Sequence, residues 1–182
     1  RERVSQPCEL DRPQTGLFNN YAAGVYNAPA AVTIGRIWAD HGKPNREAGL
    51  MPEGTVGAKL LFTTATPKEA PFLEGAPVWN GYVPASPAYN PTPEDLRGPP
   101  PARAVLPLRL LQIDIGVKDA RSPTGWVFGT FVYGGGPRSG PAKPGGAAQG
   151  WTNVEPVGVM WGNDPGYVRK ASLKETWLNP KV

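Results

Sequence analysis

Two charged residues stand inside strongly apolar runs of the sequence. Lys59 and Asp114 are each flanked on both sides by an aliphatic residue. If the two runs form neighbouring strands, the ammonium and the carboxylate share a face and pair. This leaves two interpretations. One is a solvated face, because antiparallel sheets often leave one side wet; the other is a polar pocket whose charges mark a site.

Three further residues join this pair as candidate ligand-binding groups. Gln112 precedes Asp114 by two positions, which places both on the same side of a strand. Trp126 lies at the start of a later apolar run. His41 follows Asp40, and a histidine beside an acid can act as a general base or a metal ligand. The alternative for His41 is an ordinary loop residue.

Aromatic residues are frequent in this chain, which contains six tryptophans and six tyrosines. Trp38, Trp126, Trp151 and Trp161 lie in or beside predicted strands. Core packing explains most residues of this kind. An aromatic-lined ligand groove and a protein–protein interface, where tryptophan and tyrosine are enriched, are the two functional alternatives.

No complete catalytic, metal-binding or nucleotide-binding motif is present. Cys8 is the single cysteine, so an internal disulfide is impossible, and with the single histidine it does not make a zinc site. No serine stands in a Gly-x-Ser-x-Gly elbow, and the glycines of residues 134–146 lack the spacing of a phosphate-binding loop. We therefore expect no catalytic residue, no metal and no cofactor, and favour a non-enzymatic role.

The charge and hydropathy of the chain limit the classes of partner that we expect. The net charge is +4, but lysine and arginine are scattered, whereas nucleic-acid binders concentrate basic charge on one element. We expect no nucleic-acid partner. No apolar run approaches the ~20 residues that span a bilayer, which predicts a chain that is not transmembrane; association through a membrane-bound partner stays open. No signal peptide begins at Arg1, and the chain could start after cleavage of one or at an engineered boundary.

Period-two alternation of apolar residues is the main indicator of secondary structure. It predicts strands over Ala31–Trp38, Thr55–Thr64, Leu108–Asp119, Gly125–Tyr133 and Glu155–Trp161. The third and fourth of these are expected to form an antiparallel hairpin. The sequence therefore predicts a mainly β fold: a curved antiparallel sheet, as a half-barrel or a sandwich, with few short helices and long Pro/Gly loops.

The sequence predicts a single domain over residues 1–182. Its remaining segments are predicted to form short elements and loops. Residues 1–15 form an extended N-terminal arm, and residues 84–107 and 134–150 form Pro/Gly-rich loops. The sequence also predicts four shorter features. These are a short helix or irregular segment over Gly16–Tyr26, a helical turn over Pro67–Leu73, an edge element over Val78–Val83, and a terminal helix after the capping box of Ser172 and Glu175.

Several segments carry resemblances to known groups. Lys59-Leu60-Leu61-Phe62-Thr63-Thr64-Ala65, Leu111-Gln112-Ile113-Asp114-Ile115, Thr124-Gly125-Trp126-Val127-Phe128 and Gly162-Asn163-Asp164-Pro165 resemble a group of uncharacterised bacterial proteins to which we attach no activity. More distantly, residues 52–133 are similar to the small periplasmic cytochromes that oxidise hydroxylamine on a lysine-crosslinked c-type haem. This second similarity rests on Pro52-Glu53-Gly54-Thr55-Val56 followed by a strand lysine, on a strand ending in Lys118-Asp119, and on Gly125–Phe128.

The distant resemblance implies a curved antiparallel sheet and an extracytoplasmic location. That family attaches its haem through Cys-x-x-Cys-His, which this chain lacks, so the resemblance does not imply a haem here. Lys59 matches the strand lysine of the pattern, but we assign it no crosslinking role.

Three hypotheses for function follow. The first is a non-enzymatic extracytoplasmic subunit, located in the periplasm or secreted, that binds a partner protein or a small ligand. The second is an enzyme or cofactor protein that uses a polar pocket on the sheet, with Lys59, Asp114 and His41 as polar groups. The third is a structural component of an extracellular assembly.

Overall fold

A computed structural model describes residues 3–85, 98–99, 102–134, 150–164 and 173–181 of the chain. Within these ranges, strands dominate and one α-helix is present. In chain order the elements are β1 (Arg3–Ser5), β2 (Phe18–Tyr26), α1 (Ala28–Ile37), β3 (Val56–Thr63), β4 (Val78–Pro84), β5 (Arg103–Lys118), β6 (Trp126–Tyr133), β7 (Val154–Met160) and β8 (Thr176–Leu178), with 3-10 turns at Arg46–Gly49, Pro71–Leu73 and Trp151–Asn153.

All eight described strands belong to one open antiparallel sheet. Its order is β1-β2-β3-β5-β6-β7-β8, and β4 pairs with β5 outside this path. The prediction of a mainly β antiparallel fold with few short helices is confirmed. Because every described strand lies in the same sheet, a single open sheet replaces the sandwich alternative.

Strand β5 is the longest element, with 16 residues. Its first part pairs with β4, from Arg103 opposite Pro84 to Arg109 opposite Val78. Near its end, the Lys118 amide donates to the Thr55 carbonyl at 2.8 Å, beside the start of β3. The turn that follows, closed by Gly125 at a φ of 73°, leads into β6, so the predicted hairpin is confirmed.

The predicted strand Ala31–Trp38 is wrong, because this segment belongs to helix α1. The side chain of Asn27 accepts a hydrogen bond from the Ala30 amide and caps the helix, and proline stands in its first turn. The buried residues Ala30 and Thr33 are three positions apart, which is a helical spacing. The Asn-Ala-Pro sequence at the start of this segment is a signal for the beginning of a helix, and it distinguishes a helix from a strand here.

The predicted helix or irregular segment over Gly16–Tyr26 is also wrong, because most of it forms strand β2. Asn19 and Asn20 are buried in this strand, so it lacks the alternation that identifies strands from sequence. The Asn20 amide donates to the Ser5 hydroxyl of β1 at 2.7 Å. A hydrogen bond between two polar side chains thus stands where an apolar contact between strands is expected.

The ends of the chain and its loops differ from expectation in part. Residues 3–5 of the predicted arm form β1, and the predicted loop 84–107 ends early because β5 begins at Arg103. The predicted terminal helix is contradicted at Thr176–Leu178, which form β8. Ser172 and all of residues 86–97 and 135–149 lie outside the described residues.

The chain divides into two compact units. Unit 1 comprises Arg1–Ala23, Leu60–Gln112 and Val132–Glu155, and unit 2 comprises Gly24–Lys59, Ile113–Phe131 and Pro156–Val182. The described core of unit 1 is built from Ala65, Ala70, Leu73, Ala76 and Tyr133. The predicted single domain stays a prediction.

Unit 2 begins with a junction organised by one asparagine. Besides capping α1, the Asn27 side chain accepts from the Val56 amide at 3.0 Å and donates to the Gly54 carbonyl at 2.9 Å. One amide therefore fixes the start of α1 and the start of β3 together.

In the described part of the chain, no helix is both long and apolar enough to cross a membrane.

We expect Leu73→Ala to destabilise unit 1 by about 2–5 kcal/mol, because it opens a cavity at a fully buried position. Urea unfolding followed by circular dichroism measures the change. Leu50→Ala is the matched control, since Leu50 is 85% exposed and surface truncations change stability by only about 0.5 kcal/mol. Equal stabilities for the two variants would contradict the assignment of this core.

Candidate functional site

Lys59 and Asp114 form the ion pair that their positions in the sequence predict. The Lys59 Nζ lies 3.7 Å from the Asp114 Oδ2, and on the other side the Thr130 hydroxyl donates to Asp114 Oδ1 at 2.8 Å. The Asp114 carboxylate therefore interacts with a residue of β3 and with a residue of β6. These contacts align three neighbouring strands and give all three side chains one face of the sheet.

This ion pair is open to solvent. The Lys59 side chain is 43% exposed and that of Asp114 is 34% exposed. Ion pairs at such exposure contribute little to stability, because water already solvates both charges. The pair therefore orients polar groups on an accessible surface more than it stabilises the fold.

Two glycines lie beside the ion pair on the same face. Gly57 and Gly116 are each two positions from the charged residue of their strand, so they are opposite each other in the sheet. The ring of Tyr26 lies over Gly57, with two carbons 3.3 Å from the place that a Cβ would take. The Phe128 ring lies over Gly116 in the same way, at 3.1 and 3.2 Å.

Tyr26, Gly57, Gly116 and Phe128 therefore form a row across β2, β3, β5 and β6. The Tyr26 ring covers Gly57 and the Phe128 ring covers Gly116. Tyr26 is 60% exposed and Phe128 is 45% exposed. The ring surfaces are thus available to a ligand although each ring also covers a glycine.

Trp126 and Lys118 extend this surface along β5 and β6. The Trp126 and Phe128 rings are stacked, with centroids 6.1 Å apart and planes within 15°. The Lys118 Nζ lies 5.7 Å from the centroid of the Trp126 ring, which is cation–π distance. We call the whole surface the aromatic–glycine face; its members, all in unit 2, are Tyr26, Gly57, Lys59, Asp114, Gly116, Lys118, Trp126, Phe128 and Thr130.

A further exposed tryptophan lies in line with this face. The place of a Cβ on Gly129 is 3.9 Å from the Gly158 carbonyl oxygen, which aligns Phe128 with Val159 of the next strand. Val159 in turn pairs with Trp177 of β8, whose exposure is 43%. Trp177 therefore lies in line with Phe128, with Val159 between them.

The turn between β5 and β6, next to Lys118 and Trp126, is held by an interaction between Asp119 and Arg121. The Asp119 carboxylate accepts from the Arg121 guanidinium at 2.6 and 2.9 Å. These bonds, together with the Arg121 backbone amide, lower the pKa of Asp119 to about 2. The turn is thus fixed by a carboxylate that stays charged throughout the neutral and mildly acidic range.

The other two predicted site residues lie elsewhere. Gln112 is half-buried on the same strand as Asp114 but belongs to unit 1. His41 is exposed in the turn after α1, where Asp40 accepts from the Gly42 amide at 2.9 Å. Over the described ranges, no group of three or more histidine, cysteine, aspartate or glutamate side chains is arranged to hold a metal.

Sequence reasoning missed Tyr26, Gly57, Gly116 and Phe128 as site residues. A signal was present for the glycines, because an isolated glycine inside a strand pattern marks a close approach by another group. Tyr26 could not be found in this way, since its segment was predicted not to be a strand. The register that unites the four residues is not encoded in any local pattern.

Comparisons with known proteins identify no relative: no protein-family model, no curated protein and no solved structure matches the chain. The similarity to the lysine-crosslinked haem cytochromes therefore stays a prediction. The geometry of the aromatic–glycine face is therefore the basis for assigning a function.

We expect Gly116→Ala to move the Phe128 ring, because the new methyl group would lie 3.1 Å from a ring carbon. NMR should detect changed shifts for the Phe128 ring and the Trp126 indole. Gly35→Ala is the control, because nothing lies within 4 Å of that position in α1, and there alanine stabilises a helix by roughly 0.5–1 kcal/mol. Unchanged Phe128 resonances in Gly116→Ala would contradict the contact.

The low pKa of Asp119 predicts a specific loss of stability in acid. A carboxyl whose pKa is depressed in the folded state stabilises the fold above its ordinary pKa of 3.8, and this contribution disappears as the pH falls toward about 2. The stability difference between wild type and Asp119→Asn should therefore shrink between pH 4 and pH 2. A constant difference across this range, measured by urea unfolding, would argue against the Asp119–Arg121 interaction.

Proposed function

We propose that this chain is a non-enzymatic, extracytoplasmic binding domain that holds its ligand on the aromatic–glycine face. One observation carries the proposal: two exposed rings, Tyr26 and Phe128, lie over two glycines on four adjacent strands. A contiguous patch of exposed aromatic surface marks a place where a ligand or partner binds. The glycines let both rings lie against the backbone, so that their exposed surface faces a ligand.

A purely structural role for the two rings is the first alternative. An aromatic side chain that lies over a strand glycine shields its backbone and stabilises the sheet. This explains one face of each ring but not the exposure of the rest. It also does not explain why Lys59, Asp114 and Thr130 form a polar row directly beside the rings.

The openness of the face favours binding over catalysis. Enzyme sites exclude water so that charges act strongly on the reacting atoms. Here the two charged side chains neutralise each other and are both partly exposed to solvent. An enzyme that uses Lys59 and Asp114 remains the second proposal, and it would require a ligand or a partner to close over them.

Two elements of the proposal rest on sequence. The extracytoplasmic location is supported by the similarity of residues 52–133 to periplasmic cytochromes. A partner protein is the alternative occupant of the face, because tyrosine, tryptophan and phenylalanine are enriched at protein interfaces. In that case the chain would act as an accessory subunit of a larger assembly.

The proposal predicts a ligand whose binding depends on Phe128. Thermal unfolding would be followed with neutral and acidic oligosaccharides, nucleotides, flavin, haem and a twelve-nucleotide oligothymidylate. A ligand at 100 times its Kd stabilises the folded state by about 2.7 kcal/mol, which raises Tm by several degrees. Wild type should show this shift with at least one compound, and Phe128→Ala should not.

Tyr82→Ala is the matched control for this experiment. Tyr82 is 64% exposed and lies in unit 1, on β4, so its loss removes a comparable ring without touching the face. Its variant should retain the full shift. A panel in which no compound separates Phe128→Ala from Tyr82→Ala would contradict a ligand-binding face.

A further inference from the structure

We infer that the ligand of the aromatic–glycine face is a neutral polysaccharide chain, an inference that rests on the proposed binding function. The first argument is the shape of the site. Small-molecule sites are concave and bury most of their ligand, whereas this face lies across four neighbouring strands and its rings are about half exposed. With strands ~4.8 Å apart, the row from Tyr26 to Phe128 spans roughly 14 Å. Such a surface suits an extended ligand.

The charges of the face argue against a polyanion. Its charged side chains are Lys59, Lys118 and Asp114, and the carboxylate is paired with Lys59. Proteins bind nucleic acid largely by neutralising phosphates with several cations. Two lysines are too few to neutralise a polyanion, and Asp114 would repel phosphate or uronate groups, so a neutral chain is favoured.

The position of the face within the sheet argues against a peptide. Extended peptides usually bind by adding a strand to an unpaired sheet edge. Strands β3, β5 and β6 each have neighbours on both sides, so their backbone groups are already used. A ligand that lies on these three strands must therefore recognise side chains and ring faces rather than main-chain hydrogen bonds.

A pyranose chain meets these requirements. Its rings present flat C–H surfaces that can lie on Tyr26 and Phe128, and its hydroxyl groups project from the ring edges. Asp114 can accept from such hydroxyls, and the ammonium of Lys59 can donate to them. Because the rings cover Gly57 and Gly116, the sugar would lie on the exposed surface of the rings and not on the backbone.

The test is isothermal titration calorimetry with four hexasaccharides, the β-1,4-linked oligomers of glucose, xylose, mannose and N-acetylglucosamine. We expect wild type and Tyr82→Ala to bind at least one of them. Tyr26→Ala and Phe128→Ala should weaken that binding about tenfold or more, as the loss of an aromatic contact at a binding centre does. Tyr26→Phe, which keeps the ring, should bind within about twofold of wild type.

Parallel titrations with oligothymidylate, with a uronic-acid hexamer and with flavin separate the possible failures. If one of these binds in a Phe128-dependent way and no neutral hexasaccharide does, the polysaccharide inference is overturned while the binding face stands. If no probe binds in a way that depends on Tyr26 or Phe128, the inference and the proposed function both fall. Near-UV circular dichroism and Tm confirm that each variant is folded.

Discussion

The pairing of β5 is the constraint on which the described structure depends. This strand is bordered by β4 along its first residues, by β3 near its end and by β6 through a tight turn. Its register decides which residues of the neighbouring strands face each other. Lys59 meets Asp114, and Asp114 meets Thr130, only because β3 and β6 are aligned on β5 in this way.

That register also creates the aromatic–glycine face. Side chains alternate between the two faces of a sheet, so a slip by one residue would send Lys59 and Gly57 to the opposite side. The ion pair and the two glycines are therefore consequences of a single alignment. The rings of Tyr26 and Phe128 then lie over the glycines, because a glycine has no side chain to fill that space.

Sequence patterns were sufficient for the strands whose apolar residues alternate, namely β3, the later part of β5, β6 and β7. They failed where another signal competed. In α1, Val32 and Ile34 have the spacing of a strand, but the cap at Asn27 starts a helix. In β2, the buried residues Asn19 and Asn20 are polar. A prediction that requires apolar residues at buried positions therefore misses this strand. The Lys59–Asp114 pair was predictable because each charge interrupts an apolar run, whereas the Tyr26–Phe128 row needed a register that only tertiary structure supplies.

The contacts between rings and glycines are the central claim, and nuclear Overhauser effects test them most directly. We predict cross-peaks from the Gly116 Hα protons to the Phe128 ring and from the Gly57 Hα protons to the Tyr26 ring, since the ring carbons lie within ordinary contact of both backbones. Their presence would establish in solution that the two rings lie over the two glycines. If the Gly57 and Gly116 Hα protons showed no cross-peak to either ring, the aromatic–glycine face would not exist as described.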